Sequence, residues 1–385
     1  MVKHLQMKIA YDHRIFCGQR YGGISRYFSE IATRIGRIQD CEVKIYAPLH
    51  INVFAKNVSQ VFGVFTPAIP KTQRLRQALN EEIVRRHLAQ DPPDILHETY
   101  YGERSVAPPS SQVVVTIHDM IHERFPELMP HHDTTARFKA ASARRSDHII
   151  CVSQNTRKDV IEILGVHPGK VSVVHLGSSL SVCKPRSRTQ PANNRPYILY
   201  VGVRAGYKNF DGLLKAYASS STLKRELDLI CFGGPRFTPE ENREMKALGL
   251  QGHVLRMTGT DELLCHLYSS ATCLVYPSLY EGFGIPIVEA MACECPVVCS
   301  GTSSMTEVAG DAAQYFDPYD SDNMQLAIEK VVNSNDAGDN LRSRGRRRAA
   351  QFSWEHCAKH TLEIYSSLSS GVPGHPAETV KWVLS

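Results

Sequence analysis

The sequence predicts an α/β protein built as two Rossmann-like, doubly wound domains facing each other across a cleft. Three observations lead there. The chain has 385 residues, more than one hydrophobic core usually organises. Short β-branched runs recur along it with helix-length stretches between them, the alternation expected of βαβ units. Those runs are apolar throughout instead of alternating, which suits strands covered by helices on both faces of a parallel sheet.

The elements follow in order. The first half carries six candidate strands, "MKIAYD", "EVKIYAP", "DILHET", "VVVTIHD", "HIICVS" and "VSVVHLG". Met7 opens the first, so Met1–Gln6 reads as an unstructured extension. The stretch "SLSVCKPRSRTQPANNRP" is rich in Ser, Pro, Asn and Arg and reads as a linker. The pattern then restarts with "YILYVG", "LDLICFG", "HVLRMTG", "TCLVYPS", "CPVVCSG" and "AAQYFD". This places an N-terminal domain at 1–178, the linker at 179–196 and a C-terminal domain at 197–367. Three helical stretches, Asn323–Asn333, Asn340–Gln351 and Ser353–Ser367, close the second domain. Residues 368–385 form a tail, for which a return to the N-terminal domain is one open course. Several strands end in Gly, Ser, Asp or His, at the carboxyl edge where doubly wound sheets place ligands.

Composition narrows the function classes. Apolar content of 42% with 22% charged residues suits a globular enzyme. The balance of 44 basic against 39 acidic residues, net +5, is only mildly basic, so no nucleic-acid partner is expected. No run of about 18 apolar residues could span a bilayer and no leader-like stretch opens the chain; the expectation is a soluble, cytoplasmic protein. The 11 cysteines are scattered through apolar runs such as "DLICFGG" and read as reduced thiols. Cys293, Cys295 and Cys299 lack the C-x2-C spacing of zinc sites, and no metal is expected.

The most informative stretch is "YEGFGIPIVEAMA", Tyr280–Ala292. It sets Glu281 and Glu289 in a nearly apolar run, and desolvating a carboxylate without a partner is costly. "TCLVYPS" reads as a strand and Pro286 as the first residue of a helix, where its missing N–H is no loss. Gly282, Phe283 and Gly284 then form a loop at that helix's N-terminus, with Ile285 beside it, and free N–H groups make the place a natural phosphate site. Glu289 falls in the first turn, favoured by the helix dipole, while Glu281 reaches in from the strand end. Two carboxylates flanking a phosphate suggest hydroxyl groups on both sides, a ribose and a sugar. The plainer alternative is a helix N-terminal charge at Glu289 and a solvated loop acid at Glu281.

The whole of "PSLYEGFGIPIVEAMACECPVV" resembles the signature of retaining glycosyltransferases of family 4, whose GT-B fold holds a nucleotide-sugar between two Rossmann-like domains. "YVGVRAGYKNFDGLLKAY", "HLYSSATCLVYPS" and "TEVAGDAAQYFDP" are similar to the family's surrounding segments. "YGGISRYFSEIATRI" and "VVVTIHDMIHERFPE" resemble a subgroup that builds polysaccharides and O-antigen-like glycans. The resemblance implies that the N-terminal domain binds the acceptor and the C-terminal domain the nucleotide-sugar. Carried across residue by residue, it implies that Arg204 and Lys208 hold the diphosphate and offset its growing charge. Glu289 would accept the ribose hydroxyls, and Glu281 with the Phe283 and Gly284 backbone would meet the sugar. His118 would lie near that sugar, and Gly22 and Gly23 would let a loop approach the phosphate and the acceptor. The backbone near Met257 and Thr258 would read the base. Tyr207 stands where many relatives have Arg or Glu, and Glu294 where they have Gly or Ala. Arg204 and Lys208 each keep the alternative of a solvated loop charge.

Three further motifs are set aside. "HDMIH", His118–His122, has Asp119 where a zinc-protease motif needs Glu, and it follows a strand directly; His122 reads as a hydrogen-bonded loop residue, which for His118 is the alternative to a place near the sugar. "DSD", Asp320–Asp322, precedes a helix and suits capping. "RSRGRRR", Arg342–Arg348, suits a solvated helix face, although with Arg85, Arg86, Arg144 and Arg145 it leaves peripheral contact with anionic membrane open. The resemblance implies retaining front-face transfer of a hexose to an acceptor hydroxyl of a growing polysaccharide or glycolipid, without cofactor or metal. UDP-glucose is the favoured donor, with GDP-mannose next. The alternatives are a nucleotide-sugar epimerase and a non-catalytic nucleotide-sugar-binding protein.

Overall fold

The computed structural model describes residues 6–182, 195–204 and 206–370. Most of the N-terminal extension, most of the linker and the last part of the tail lie outside the described residues. The described chain divides into two compact units, one from its start to Leu176 joined by the segment beginning at Trp354, the other Gly177–Ser353.

The first unit holds a seven-stranded sheet in the order β3-β2-β1-β4-β5-β6-β7. Its strands are β1 Met7–Tyr11, β2 Cys41–His50, β3 Val61–Phe65, β4 Ile95–Glu98, β5 Gln112–Ile117, β6 His148–Cys151 and β7 Val171–Val173. The second unit holds a six-stranded sheet in the order β10-β9-β8-β11-β12-β13, with β8 Tyr197–Val201, β9 Asp228–Phe232, β10 Val254–Met257, β11 Cys273–Tyr276, β12 Val297–Ser300 and β13 Ala313–Phe316. Neighbouring strands pair in parallel in both sheets. In each, the connections leave in opposite directions from a central pair, β1/β4 and β8/β11. That split opens a crevice at the carboxyl edge.

Strands β8, β9, β11 and β12 are buried along their whole length, as unbroken apolar runs require when helices cover both faces. The twelve strands read from the sequence are all present; among the described residues β3 is the one missed. Its sequence, Val-Phe-Gly-Val-Phe, is exposed over four of its five residues, so neither burial nor alternation marks it. A Cβ at Gly63 would stand 1.9 Å from the Ala47 carbonyl oxygen, so the glycine permits β3 to close on β2.

The end of the second domain is corrected by the fold. Helix Trp354–Ser369 belongs to the first unit, where it packs on helix Gly23–Ile35, so the return begins at Trp354 and not in the tail. Trp354 and Tyr365 are buried and supply the reason. The Tyr365 hydroxyl pairs with His97 Nδ1 at 2.5 Å and donates to the Tyr11 hydroxyl at 3.3 Å. His97 Nε2 pairs with Thr116 Oγ1 at 2.8 Å, and that hydroxyl with Tyr27 at 3.1 Å. An amphipathic helix carrying a polar tip that completes a buried network docks where the network is.

Among the described residues nine cysteines are free and buried; Cys265 is disulfide-bonded, which corrects the all-thiol reading at that residue. No described helix is long and apolar enough to cross a membrane. Asp320 caps helix Ser321–Val332, accepting from the Asp322 and Asn323 amides, as the "DSD" spacing suggests.

Candidate active site

The crevice at the carboxyl ends of β8 and β11 is built from two loops. The loop after β8 runs through a 3-10 turn, Gly206–Lys208, into helix Phe210–Ser219. The loop after β11 carries Glu281 and the glycines into helix Ile285–Ala292. The Leu279 amide donates to the Tyr207 carbonyl at 2.8 Å, which fastens one loop to the other. Asn209, in the left-handed region at φ 53°, donates through Nδ2 to the Pro318 carbonyl at 2.7 Å and fixes the exit of the first loop.

Lys208 and Glu281 meet in this crevice. Lys208 Nζ lies 2.5 Å from Glu281 Oε1 and 3.2 Å from the Tyr276 hydroxyl, and both charged side chains are largely buried. Burial, followed by the Glu281 charge, pushes the Tyr276 phenol well above its usual pKa. The Glu281 backbone is clamped as well. Its amide donates to Ser303 Oγ, and its carbonyl accepts from the Ser303 and Ser304 hydroxyls at 3.1 and 2.8 Å. Ser303 adopts φ 50°, ψ −140°, a conformation that costs roughly 1–3 kcal/mol and is retained where the surroundings over-determine it.

Gly284 has φ 95°, and a Cβ there would lie 3.3 Å from Ile287 Cδ1, so the turn into the helix requires glycine. Phe283 is buried edge-on against Phe352, their ring centroids 5.6 Å apart; Gly282 is buried and Ile285 half-buried. The helix starts at Ile285, so Pro286 is its second residue and Glu289 its fifth. No acid stands in the first turn, which corrects the dipole argument for Glu289. It is instead a buried carboxylate accepting from the Tyr268 hydroxyl at 3.2 Å, and it pushes that phenol up after burial has done so.

Arg204 stands differently. Its Nε donates to Glu241 Oε1 at 2.6 Å and its Nη2 to the Pro235 carbonyl at 2.8 Å. The side chain is 2% exposed, with the guanidinium over the Phe237 and Phe210 rings. Glu241 is itself fixed by a capping box with Thr238. Arg204, expected to offer a fork to the donor, is here engaged within its own unit: the Phe210 and Phe237 rings lie against its guanidinium and Glu241 holds its Nε, while its Nη1 is buried without a hydrogen-bond partner. Met257 ends β10, its carbonyl accepting from the Gly233 amide at 2.9 Å, and Thr258 is exposed beside it. A depression of about 530 Å³ opens at the ends of β12 and β13, lined by Thr302, Asp317, Tyr319 and Asn323 among others. Lys208, Glu281 and Glu289 are not part of that lining.

The remaining expected residues lie in the first unit, at the carboxyl edge of its own sheet. His118 follows β5; its amide donates to the Tyr101 hydroxyl at 3.2 Å, and its ring meets Tyr27 edge-on. Burial pushes the imidazole down to about 4, against the opposing pull of Asp119, so it is neutral at pH 7. Its Nε2 is buried without a hydrogen-bond partner. Gly22 and Gly23 open helix Gly23–Ile35. Gly22 is extended at φ 169°, so the dihedral demands no glycine; a Cβ would meet the Gln19 side chain at 2.3 Å. Among the described residues no group of three or more His, Cys, Asp or Glu is arranged to hold a metal.

The crevice thus pairs a cation with a carboxylate beside a helix N-terminus, and adds a second buried carboxylate one turn on. Such a set can bind an anion and neighbouring hydroxyl groups and can stabilise charge on a departing phosphate. Tyr276, Tyr268, Ser303 and Ser304 were missed from the sequence. The run "GTSS" after the strand "CPVVCS" was the available signal, small polar residues at a carboxyl edge.

The chain is similar to known proteins along its length. Residues 184–348 match the family model of glycosyl transferases group 1, and residues 21–182 that of glycosyltransferase family 4. An O-antigen chain mannosyltransferase B from Escherichia coli is 30% identical over 371 residues, covering 90% of this chain and 96% of its own. Among solved structures, a sucrose-phosphate synthase from Thermosynechococcus elongatus superposes with TM-score 0.76 at 19% identity, over 95% of this chain and 100% of that one. HepE from Anabaena, solved with UDP and glucose, gives TM-score 0.73 at 19% identity, over 94% and 100%. At that identity the two structures establish the fold alone.

Proposed function

Because the chain belongs to the family 4 glycosyltransferases of GT-B fold, we propose that it transfers a hexose, with retention of configuration, from a nucleoside diphosphate sugar to an acceptor hydroxyl of a growing polysaccharide or glycolipid. The observation that carries the reading is the Lys208–Glu281 pair at 2.5 Å, held at the carboxyl-edge switch point next to the glycine loop and helix Ile285–Ala292. Lys208 turns to the diphosphate when the donor binds and neutralises the charge that develops as the sugar departs. Glu281 and the Phe283–Gly284 backbone take the sugar hydroxyls, and Glu289 the ribose. Gly282 and Ile285 complete the phosphate loop, and the backbone near Met257 and Thr258 meets the base. Arg204 keeps the β8 loop in position.

In the first unit, neutral His118 offers an unpaired ring nitrogen to a sugar or acceptor hydroxyl, with Gly22 and Gly23 on the adjoining loop. No side chain is assigned as a nucleophile; the transfer is front-face, with the donor phosphate helping to deprotonate the acceptor, and no metal or cofactor is invoked. UDP-glucose and GDP-mannose are the two donors proposed. The relative matched along almost its whole length is a mannosyltransferase, which moves GDP-mannose ahead of UDP-glucose.

Thermal-shift screening against nucleotide sugars identifies the donor, since a ligand bound to the folded state stabilises it by mass action. NMR of the transferred anomer then tests retention. A donor that is epimerised without acceptor, or that binds without nucleotide release on any acceptor, overturns the proposal in favour of an epimerase or a binding protein respectively.

A further inference from the structure

Strands β12 and β13 stay paired as far as Ser300 and Phe316, and the Gly301 amide donates to the Phe316 carbonyl at 2.8 Å. Beyond that bond the two segments part, one as Gly301–Thr302 and the other as Asp317–Tyr319, and both line the depression of about 530 Å³. Its volume is that of a small-molecule site, and it opens at the carboxyl edge where doubly wound sheets take ligands. The pair Lys208–Glu281 makes no use of it.

The second of these segments is pinned by its own hydrogen bonds. The Asp317 amide donates to Asn323 Oδ1 and the Tyr319 amide to Asp317 Oδ1, each at 2.9 Å. The Asp320 amide donates to the Asp317 carbonyl at 3.1 Å, and Asn209 Nδ2 to the Pro318 carbonyl at 2.7 Å. On this fixed loop Tyr319 is 74% exposed, the most exposed large hydrophobic side chain among the described residues. Around it Asp317 Oδ2, Asn323 Nδ2 and Thr302 Oγ1 have no hydrogen-bond partner among the described residues.

The lining selects the ligand. It contains one carboxylate and no Lys, Arg or His, which disfavours a phosphate or an acidic headgroup. The Asp322 and Asn323 amides at the start of helix Ser321–Val332 are already taken by Asp320, so the helix offers an anion little there. A single carboxylate is also too few for a divalent cation. A bare aromatic face ringed by an acceptor, a donor and a hydroxyl suits a neutral ring with apolar faces and a hydroxylated rim, which is a pyranose. The depression lies two strand spacings, about 10 Å, along the sheet edge from the β8/β11 switch point. It shares both loops with the crevice there: Thr302 precedes Ser303, which holds the Glu281 carbonyl, and Asn209 follows Lys208.

We propose that this depression is a saccharide subsite, which takes a sugar unit of the growing glycan away from its reacting end, with the pyranose on Tyr319 and its hydroxyls on Asp317, Asn323 and Thr302. The origin of the saccharide rests on the transferase reading; its binding does not.

The test is calorimetric titration of the full chain with α-linked mannotetraose and with maltotetraose, in the wild type, Tyr319→Ala, Tyr319→Phe and Asp317→Asn. The expected result is saturable binding of at least one tetrasaccharide, weakened about tenfold or more by Tyr319→Ala, less by Asp317→Asn, and kept by Tyr319→Phe. Melting temperatures stay at the wild-type value, and kcat for nucleotide release to a monosaccharide glycoside is unchanged, while KM for a long acceptor rises in step with the lost binding. Failure of both tetrasaccharides to bind the wild type, or equal binding by Tyr319→Ala, overturns the proposal. So does a Tyr319→Ala variant that loses affinity for GDP or UDP instead, since the depression then belongs to the donor. Tetrasaccharide binding that depends on Tyr319, in a protein releasing no nucleotide on any acceptor, upholds the subsite and overturns the transferase reading, so the two fail separately.

Discussion

Replacing Lys208 by Met tests the centre of the site with two readouts that move apart. Nζ and Oε1 are 2.5 Å apart in a pair whose side chains are 13% and 9% exposed. At an effective dielectric of about 20 their attraction is roughly 7 kcal/mol. Desolvation of both ions offsets most of that, so the pair contributes little net stability, but removing one member strands the other, at about 3–5 kcal/mol for a buried pair. The residual exposure argues for the lower end, about 3 kcal/mol. For a unit of this size each kcal/mol is worth about 2–4 °C, so Lys208→Met should lower the melting temperature by roughly 6–12 °C. Lys208→Met/Glu281→Gln removes both charges and should recover most of that loss. Catalysis should not follow stability: loss of one preorganised charge at the developing oxyanion costs about 100- to 1,000-fold in kcat, and the double variant stays as slow or slower. The assay is nucleotide release at saturating donor, well below each melting point. Near-normal turnover in Lys208→Met, or recovery of turnover in the double variant, would refute the assignment of Lys208 to the diphosphate.

Arg204→Met should behave oppositely, losing about 3 kcal/mol of stability because Glu241 is left without its cation, while kcat below the melting point changes little; a loss comparable to that of Lys208→Met would return Arg204 to the donor. Gly284→Ala forces an L residue to φ 95° beside Ile287 and should cost roughly 1–3 kcal/mol, read as a lower melting temperature and weaker donor affinity by calorimetry. His97 is fully buried, and burial pushes its imidazole down to about 3. The folded state therefore binds fewer protons than the unfolded one below about pH 6.5, and the stability present above that pH is lost as pH falls towards 3. From pH 6.5 to 5 the loss from this residue is about 2 kcal/mol, measured by urea unfolding, and His97→Gln should flatten that slope.

What the sequence made legible follows from where water is excluded. Strands such as β8 and β11 are buried on both faces, and their unbroken apolar runs announce them. Strand β3 escaped because it is an edge, where no core dictates its pattern and a glycine sits at its centre. Helix Trp354–Ser369 was visible as a helix but not as part of the first unit. Its amphipathic stripe says that it must pack, while the choice of partner is made by the Tyr365 hydroxyl meeting His97, a contact 268 residues away in the chain.

The site divides in the same way. Glu281, Glu289 and Gly284 were legible because each is locally improbable: carboxylates in an apolar run, and a glycine at a helix entrance. Tyr276 and Tyr268 were not, because a tyrosine in an apolar stretch looks like core until its hydroxyl is seen beside a buried carboxylate. Arg204 shows the converse limit. A cation after a strand end is chemically fit to hold a phosphate, and nothing in "VRAGYK" tells it from Lys208. The distinction is made by Glu241 and Phe237, more than thirty residues further on, which enclose one cation and leave the other to face Glu281 across the switch point. Residue type sets what a side chain can do; the partners that reach it through the fold decide which of two equivalent charges is left to do it.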